Sequence, residues 1–116
     1  MRKQTKSSLT RKIDQTISRI VRARGSCAWC GSTETLQAAH IFSRKNKRLR
    51  FILMNIICLC AGCHFKAHAN PIFFTEFVKS YLGDLNYENL KLMANEKKKW
   101  NIDELQVLLN ILKDVT

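Results

Sequence analysis

Residues 54–74 read MNIICLCAGCHFKAHANPIFF, and the fold turns on this stretch. Residues 51–59 are apolar and partly β-branched, which predicts a strand with its approach. Residues 61–69, AGCHFKAHA, predict a short helix, and Asn70-Pro71 then ends it and opens another, with Asn70 as cap and Pro71 at the first helical position. The strand-to-helix junction carries Cys60-x2-Cys63, and a second knuckle, Cys27-x2-Cys30, lies upstream in the turn SCAWCGSTE at residues 26–34. Such knuckles each fold two sulfurs toward one point, so four thiolates at this spacing close a tetrahedral zinc site. An iron–sulfur cluster is the competing occupant, and four buried free thiols are the bland alternative. The interval between the knuckles leaves room for a hairpin, whose first strand is predicted over residues 36–41. Cys58 is the fifth cysteine; it either faces the core or replaces Cys60 in a shifted site, at the cost of the second knuckle.

The three histidines, His40, His64 and His68, all fall inside or beside the stapled region. His64 and His68 are four apart and share a helix face, which suits capture of one divalent metal. His40 ends the predicted first strand. This set fits phosphodiester hydrolysis: a cation polarises the phosphate and a neutral imidazole, His40, takes the proton from attacking water. Asn55 is either an ordinary turn residue or an amide that pins the preceding loop to orient His40.

Lys and Arg number 20 against 9 Asp and Glu, a net charge of +11 in 116 residues, with a pI near 9.8. That balance calls for a polyanion, because each neutralised phosphate releases condensed counterions. Arg44, Lys45, Lys47, Arg48 and Arg50 crowd the loop between His40 and Asn55, with Arg44 and Arg50 the preferred phosphate clamps. Arg11, Lys12, Arg19, Arg22 and Arg24 line the polar face of an amphipathic helix whose apolar face is Leu9, Ile13, Ile17, Ile20 and Val21 and whose end is Gly25. Lys97, Lys98 and Lys99 read as a solvated helix end, and Trp29 and Trp100 as packing residues.

The expected class is α+β. Residues 1–8 form a basic flexible arm and residues 9–116 one domain, with a core at 26–70 and helical additions at 9–24 and 71–116. Within the last part, helices are predicted over 72–82, 87–98 and 102–113, the last capped by Asn101. No run of 18 apolar residues predicts a membrane span, and the basic amino terminus lacks the apolar region of a signal peptide. A cytoplasmic setting is therefore expected, where paired cysteines point to metal rather than to disulfides.

The ordered segments CAWC, LQAAHIFSR and MNIICLCAGCHFKAHANPIFF resemble HNH endonucleases, above all short bacteriophage members, over residues 26–78. The resemblance implies a ββα-metal core with a four-cysteine structural zinc. It also implies one catalytic divalent ion (Mg2+, Mn2+, Ni2+ or Zn2+) and cleavage of double-stranded DNA. By position, His40 matches the general base and Asn55 the middle asparagine. His64 and His68 match the metal-binding end, and Cys27, Cys30, Cys60 and Cys63 the zinc knuckles. A phage origin implies the host cytoplasm, a role in DNA packaging or recombination, and terminase or other packaging proteins as partners. One departure stands out: many members carry a first metal ligand immediately before the base, where this chain has Ala39. The competing reading is a non-catalytic zinc-stapled DNA-binding module; an RNA-binding zinc protein is a third.

Overall fold

The structure is a computed structural model that describes residues 4–115. Among these the chain forms five α-helices and one two-stranded antiparallel sheet, an α+β arrangement. Helix α1 spans Lys6–Arg22. Its start corrects the arm boundary: Thr5 Oγ1 accepts the Ser8 N–H at 3.0 Å, so the helix begins three residues inside the stretch read as flexible. Residues 1–3 of that arm lie outside the described residues. Leu9, Ile13, Ile17 and Val21 are buried on one stripe, as the helical period requires. Gly25, at φ +91°, turns the chain out of the helix end, a conformation that only glycine adopts without strain.

Strand β1, Leu36–His40, pairs with β2, Ile56–Cys60, in a register that sets Leu36 opposite Cys60 and His40 opposite Ile56. The strand predicted from residue 51 begins only at Ile56, because Leu53–Asn55 tighten into a 3-10 turn that brings the chain back toward β1. All five residues of β2 are buried, since both its faces are covered. Ile56 and Cys58 pack with Leu9, Ile13, Ile17, Phe51, Leu105 and Leu109 on the α1 side. Ile57 and Leu59 pack with Ala39, Ala67, Phe74 and Val78 on the other. Neither core is large, so a link between the residue 27–30 turn and the hairpin adds disproportionately to stability.

Helix α2, Ala61–Ala69, follows β2 without a spacer: Cys60 ends the strand and caps the helix, its Sγ accepting the Cys63 N–H. Helix α3, Pro71–Leu82, starts with proline at its first turn, but the Asn70 side chain makes no cap; the Asn70 carbonyl alone accepts the Phe74 N–H, at 3.1 Å. Helix α4 spans Asp84–Ala94 rather than 87–98. Gly83, at φ +83°, re-aims the chain in a single residue, and the Gly83 carbonyl takes the Tyr87 N–H. At its other end the Ala94 carbonyl accepts from Asn46 Nδ2, and residues 95–101 leave the helix through a turn and run as an irregular connection beside the basic loop. Helix α5, Ile102–Val115, opens with a reciprocal cap: Asn101 Oδ1 accepts the Glu104 N–H and Glu104 Oε1 accepts the Asn101 N–H. No helix among the described residues is long and apolar enough to cross a membrane.

Candidate functional site

The two knuckles meet. The Sγ atoms of Cys27, Cys30, Cys60 and Cys63 all lie within 4.8 Å of one another. Sulfurs bound to one zinc at about 2.3 Å sit about 3.8 Å apart on a tetrahedron's edge; the Cys30 and Cys60 sulfurs are 3.6 Å apart. In each knuckle the second cysteine's N–H points at the first one's sulfur, Cys30 to Cys27 at 3.5 Å and Cys63 to Cys60 at 3.4 Å. Burial alone would raise the Cys27 thiol, but the N–H groups of Cys30, Cys60 and Trp29 and the Cys63 thiol outweigh it and hold it at about 6. Burial, and hydrogen bonds with the other three thiols, push Cys63 the opposite way. A soft donor set already gathered, with one thiol readily ionised, fits a structural Zn2+. Cys58 stays outside it, packed with Leu9, Ile13 and Leu109 on the far face of β2, and burial raises its thiol. The four sulfurs therefore belong to the two knuckles, without a shift toward residue 58.

Beside this centre lies a cleft of about 720 Å3 lined by His40, His64 and His68, with Asp14, Gln37, Ser43, Arg44 and Lys45 among its other walls. The rings of His64 and His68, one helical turn apart on α2, have centroids 5.1 Å apart. Gln37 was not anticipated from sequence. From β1 its Oε1 takes the Nδ1–H of His64 at 2.7 Å, which leaves His64 Nε2 with a free lone pair. Burial, and then the neighbouring His68, lower the His64 pKa, so its neutral, ligating form is favoured.

His40 is half-buried at the end of β1. Its Nε2 lies 3.0 Å from the Arg50 carbonyl, which can only accept, so the proton sits on Nε2 and Nδ1 is the basic nitrogen. Burial depresses its pKa below 6.5; the Arg50 carbonyl opposes this and the Arg44 charge adds to it. Asn55, fully buried, explains why that carbonyl is where it is. Its Nδ2 donates to Phe42 O at 3.0 Å and Leu49 O at 3.2 Å, and its Oδ1 accepts the Phe42 N–H at 2.9 Å. One amide thereby ties both ends of the loop that leads from His40 to Arg50.

The three imidazoles share the cleft without converging as the sulfurs do. Among the described residues, the cysteines are the group of three or more His, Cys, Asp or Glu whose ligand atoms come together. The three histidines thus line common space, with His64 and His68 in ring contact, without forming a ligand cluster of the cysteines' kind among the described residues. Ala39 is buried and lines a smaller hollow of about 290 Å3 together with all three histidines.

The basic loop divides. Arg44 and Lys45 are exposed and line the histidine cleft. Arg50, expected as a phosphate clamp, instead holds Asp14 of α1 with both arms of its fork, at 2.6 and 3.4 Å. Arg48 is paired with Glu96 at 2.8 Å. Lys47 is not among the walls of the histidine cleft and lines two hollows with Lys99. On α1, Arg22 reaches the cleft; Arg24, expected on the same helix face, lies past the helix end and is spent on the Ile56 carbonyl at 2.8 Å. Trp29 stacks on Phe77 at 5.0 Å, and Trp100 meets Phe51 edge-on at 5.5 Å, both as packing residues.

Among known proteins, the family described as Bacteriophage Lambda NinG protein matches residues 2–115 of this chain. No curated protein and no solved structure matches it. With almost its whole length matched, the chain, whose four-cysteine cluster fits a structural zinc, belongs to the bacteriophage lambda NinG protein family.

Proposed function

We propose that the chain is a metal-dependent endonuclease of the HNH (ββα-metal) type that hydrolyses phosphodiester bonds in double-stranded DNA. The observation that carries this reading is the His40 imidazole. It is buried enough to stay neutral, fixed in one tautomer by the Arg50 carbonyl, and set in the same cleft as a histidine pair on the helix that follows the hairpin. The order of strand, strand and helix, with one stapling pair before the first strand and the other at the junction of the second strand and the helix, supports it.

In this reading His64 and His68 are the residues that would hold the catalytic cation. A divalent ion there would polarise the phosphate and stabilise the leaving oxyanion. His40 Nδ1 removes a proton from water as the water oxygen bonds to phosphorus and one ester P–O bond breaks; the departing oxygen is protonated from solvent. Asn55 touches no substrate and acts by holding the loop that aims His40. Arg44 and Lys45, free of carboxylate partners among the described residues, draw the phosphate into the cleft. The charge of +11 supports a DNA partner, and the phage family is compatible with a role in DNA packaging or recombination.

The test is incubation with supercoiled plasmid and Mg2+, Mn2+ or Ni2+, with metal-free controls. Nicked or linear product, abolished by His40→Ala in a protein that keeps its zinc and its melting temperature, is the expected result. The buried Ala39 favours one alternative, a zinc-stapled DNA-binding module without catalysis. Retention of DNA without any cut under every metal would establish that alternative.

A further inference from the structure

A trough of about 600 Å3 adjoins the histidine cleft, and Arg44 and Asp14 line both. Its cations come from three separate segments: Lys6 and Arg11 from α1, Arg44, Lys47 and Arg50 from the basic loop, and Lys99 from the connection before α5. Its one acidic wall, Asp14, is already neutralised by Arg50. Among the described residues no carboxylate pairs with Lys6, Arg11, Arg44, Lys47 or Lys99. Three bonds that spend none of these five charges clamp the loop to the connection. Trp100 Nε1 donates to the Lys47 carbonyl at 2.9 Å, Asn46 Nδ2 to the Ala94 carbonyl at 2.9 Å, and Arg48 to Glu96 at 2.8 Å. Beyond Lys47 and Lys99 lies a further hollow to which Lys45 and Lys97 add charge, while Arg48 and Lys98 there are paired with Glu96 and Glu104.

We propose that this trough is a second phosphate track, which binds the backbone of the DNA duplex beyond the segment held in the cleft. The inference rests on the DNA reading above but not on catalysis. A row of unpaired cations on a pre-clamped surface suits a polyanion of regular charge spacing, because little side-chain or loop order remains to be imposed on binding. A membrane surface fits less well. Lipid-binding faces set exposed apolar side chains beside their cations. Here Phe65, Ile72, Phe73 and Leu85, among the most exposed apolar residues, are not among the trough's walls. The exposed Val107 and Ile111 line a separate hollow that meets the trough only at Trp100 and carries Asp103 and Glu104 instead of cations.

The test measures affinity for a duplex by fluorescence anisotropy across a salt series, without added divalent metal, using the full chain. Lys47→Gln with Lys99→Gln removes two track cations; Lys79→Gln with Lys91→Gln removes the same charge elsewhere. A track predicts that the first pair raises Kd about tenfold or more and flattens the salt slope by about 1.8, at about 0.9 per lost phosphate contact. The second pair leaves the slope unchanged. Arg11→Gln with Lys99→Gln repeats the loss from a different element, and zinc content with thermal melting verifies folding in each case. Equal slopes for the two lysine pairs would overturn the proposal. So would a wild-type protein that ignores DNA and binds phosphatidylserine vesicles. A flattened slope in a protein that never cuts plasmid would keep the track and sink the nuclease.

Discussion

The cysteine centre and the histidine cleft stand side by side on the same hairpin and helix, yet they are built in opposite ways. The sulfurs converge to within 4.8 Å and receive backbone N–H groups, a closed arrangement with no position left for chemistry. The imidazoles share about 720 Å3 of open space, and each orienting bond is made to a different partner, Gln37 for His64 and the Arg50 carbonyl for His40. A staple needs all its donors on one ion, whereas a hydrolytic site needs its base held away from the metal, with room between for phosphate and water. Residues 60–64 contribute to both regions, since Cys60 and Cys63 fix α2 and His64 follows directly on the same helix.

The comparison breaks most severely at the staple. Zinc removal, Cys27→Ser or Cys63→Ser should cost about 3 kcal/mol or more, lowering Tm by about 10 °C or more and emptying the zinc together. Unchanged zinc stoichiometry in either variant would contradict the four-sulfur site. Next comes His40, the base under the proposed function: His40→Ala should cut the rate about 10²- to 10⁴-fold at unchanged zinc content. A fully active variant would return the cleft to a binding role.

Asn55→Ala links the two regions. It strands the Phe42 and Leu49 carbonyls and the Phe42 N–H in the interior, so a loss of about 2–4 kcal/mol is expected in denaturant melts, with slower cutting as the loop loosens. A neutral effect on both would reduce Asn55 to a turn residue. Gln37→Leu is gentler: a loss of about ten- to a hundredfold in affinity for the cleft metal, read by titration calorimetry, with Gln37→Glu restoring it. The smallest effect is on pH. The depressed His40 pKa keeps the base unprotonated at neutrality, so the rate should be flat there and fall only as pH drops through a value below 6.5. A midpoint above 6.5 would assign the titration to another group.

Much of this was legible in the sequence, and the parts that were not share a cause. Knuckle spacing announced the cysteine set, the four-residue step announced the His64–His68 face, and apolar periodicity located α1 and α5. These are local patterns. The misjudged features depend on partners distant in the chain. Asp14 captures Arg50 across 36 positions, the Asn46 and Trp100 bonds fasten the basic loop to residues 94–100, and Gln37 reaches α2 from the neighbouring strand. Lys99 reads as a helix end until α4 stops at Ala94 and places it beside Lys47. Asn55 was open between two roles because an asparagine in a turn and one that ties a buried loop look alike in one dimension.

Cobalt substitution followed by visible spectroscopy addresses the division into a closed centre and an open one most directly. The account predicts two populations: a tightly held, sulfur-rich tetrahedral ion, and a weaker, exchangeable ion that vanishes in His64→Ala with His68→Ala while the first persists. A single sulfur-bound ion, with no second population in the wild-type protein even at high cobalt and with DNA present, would contradict it.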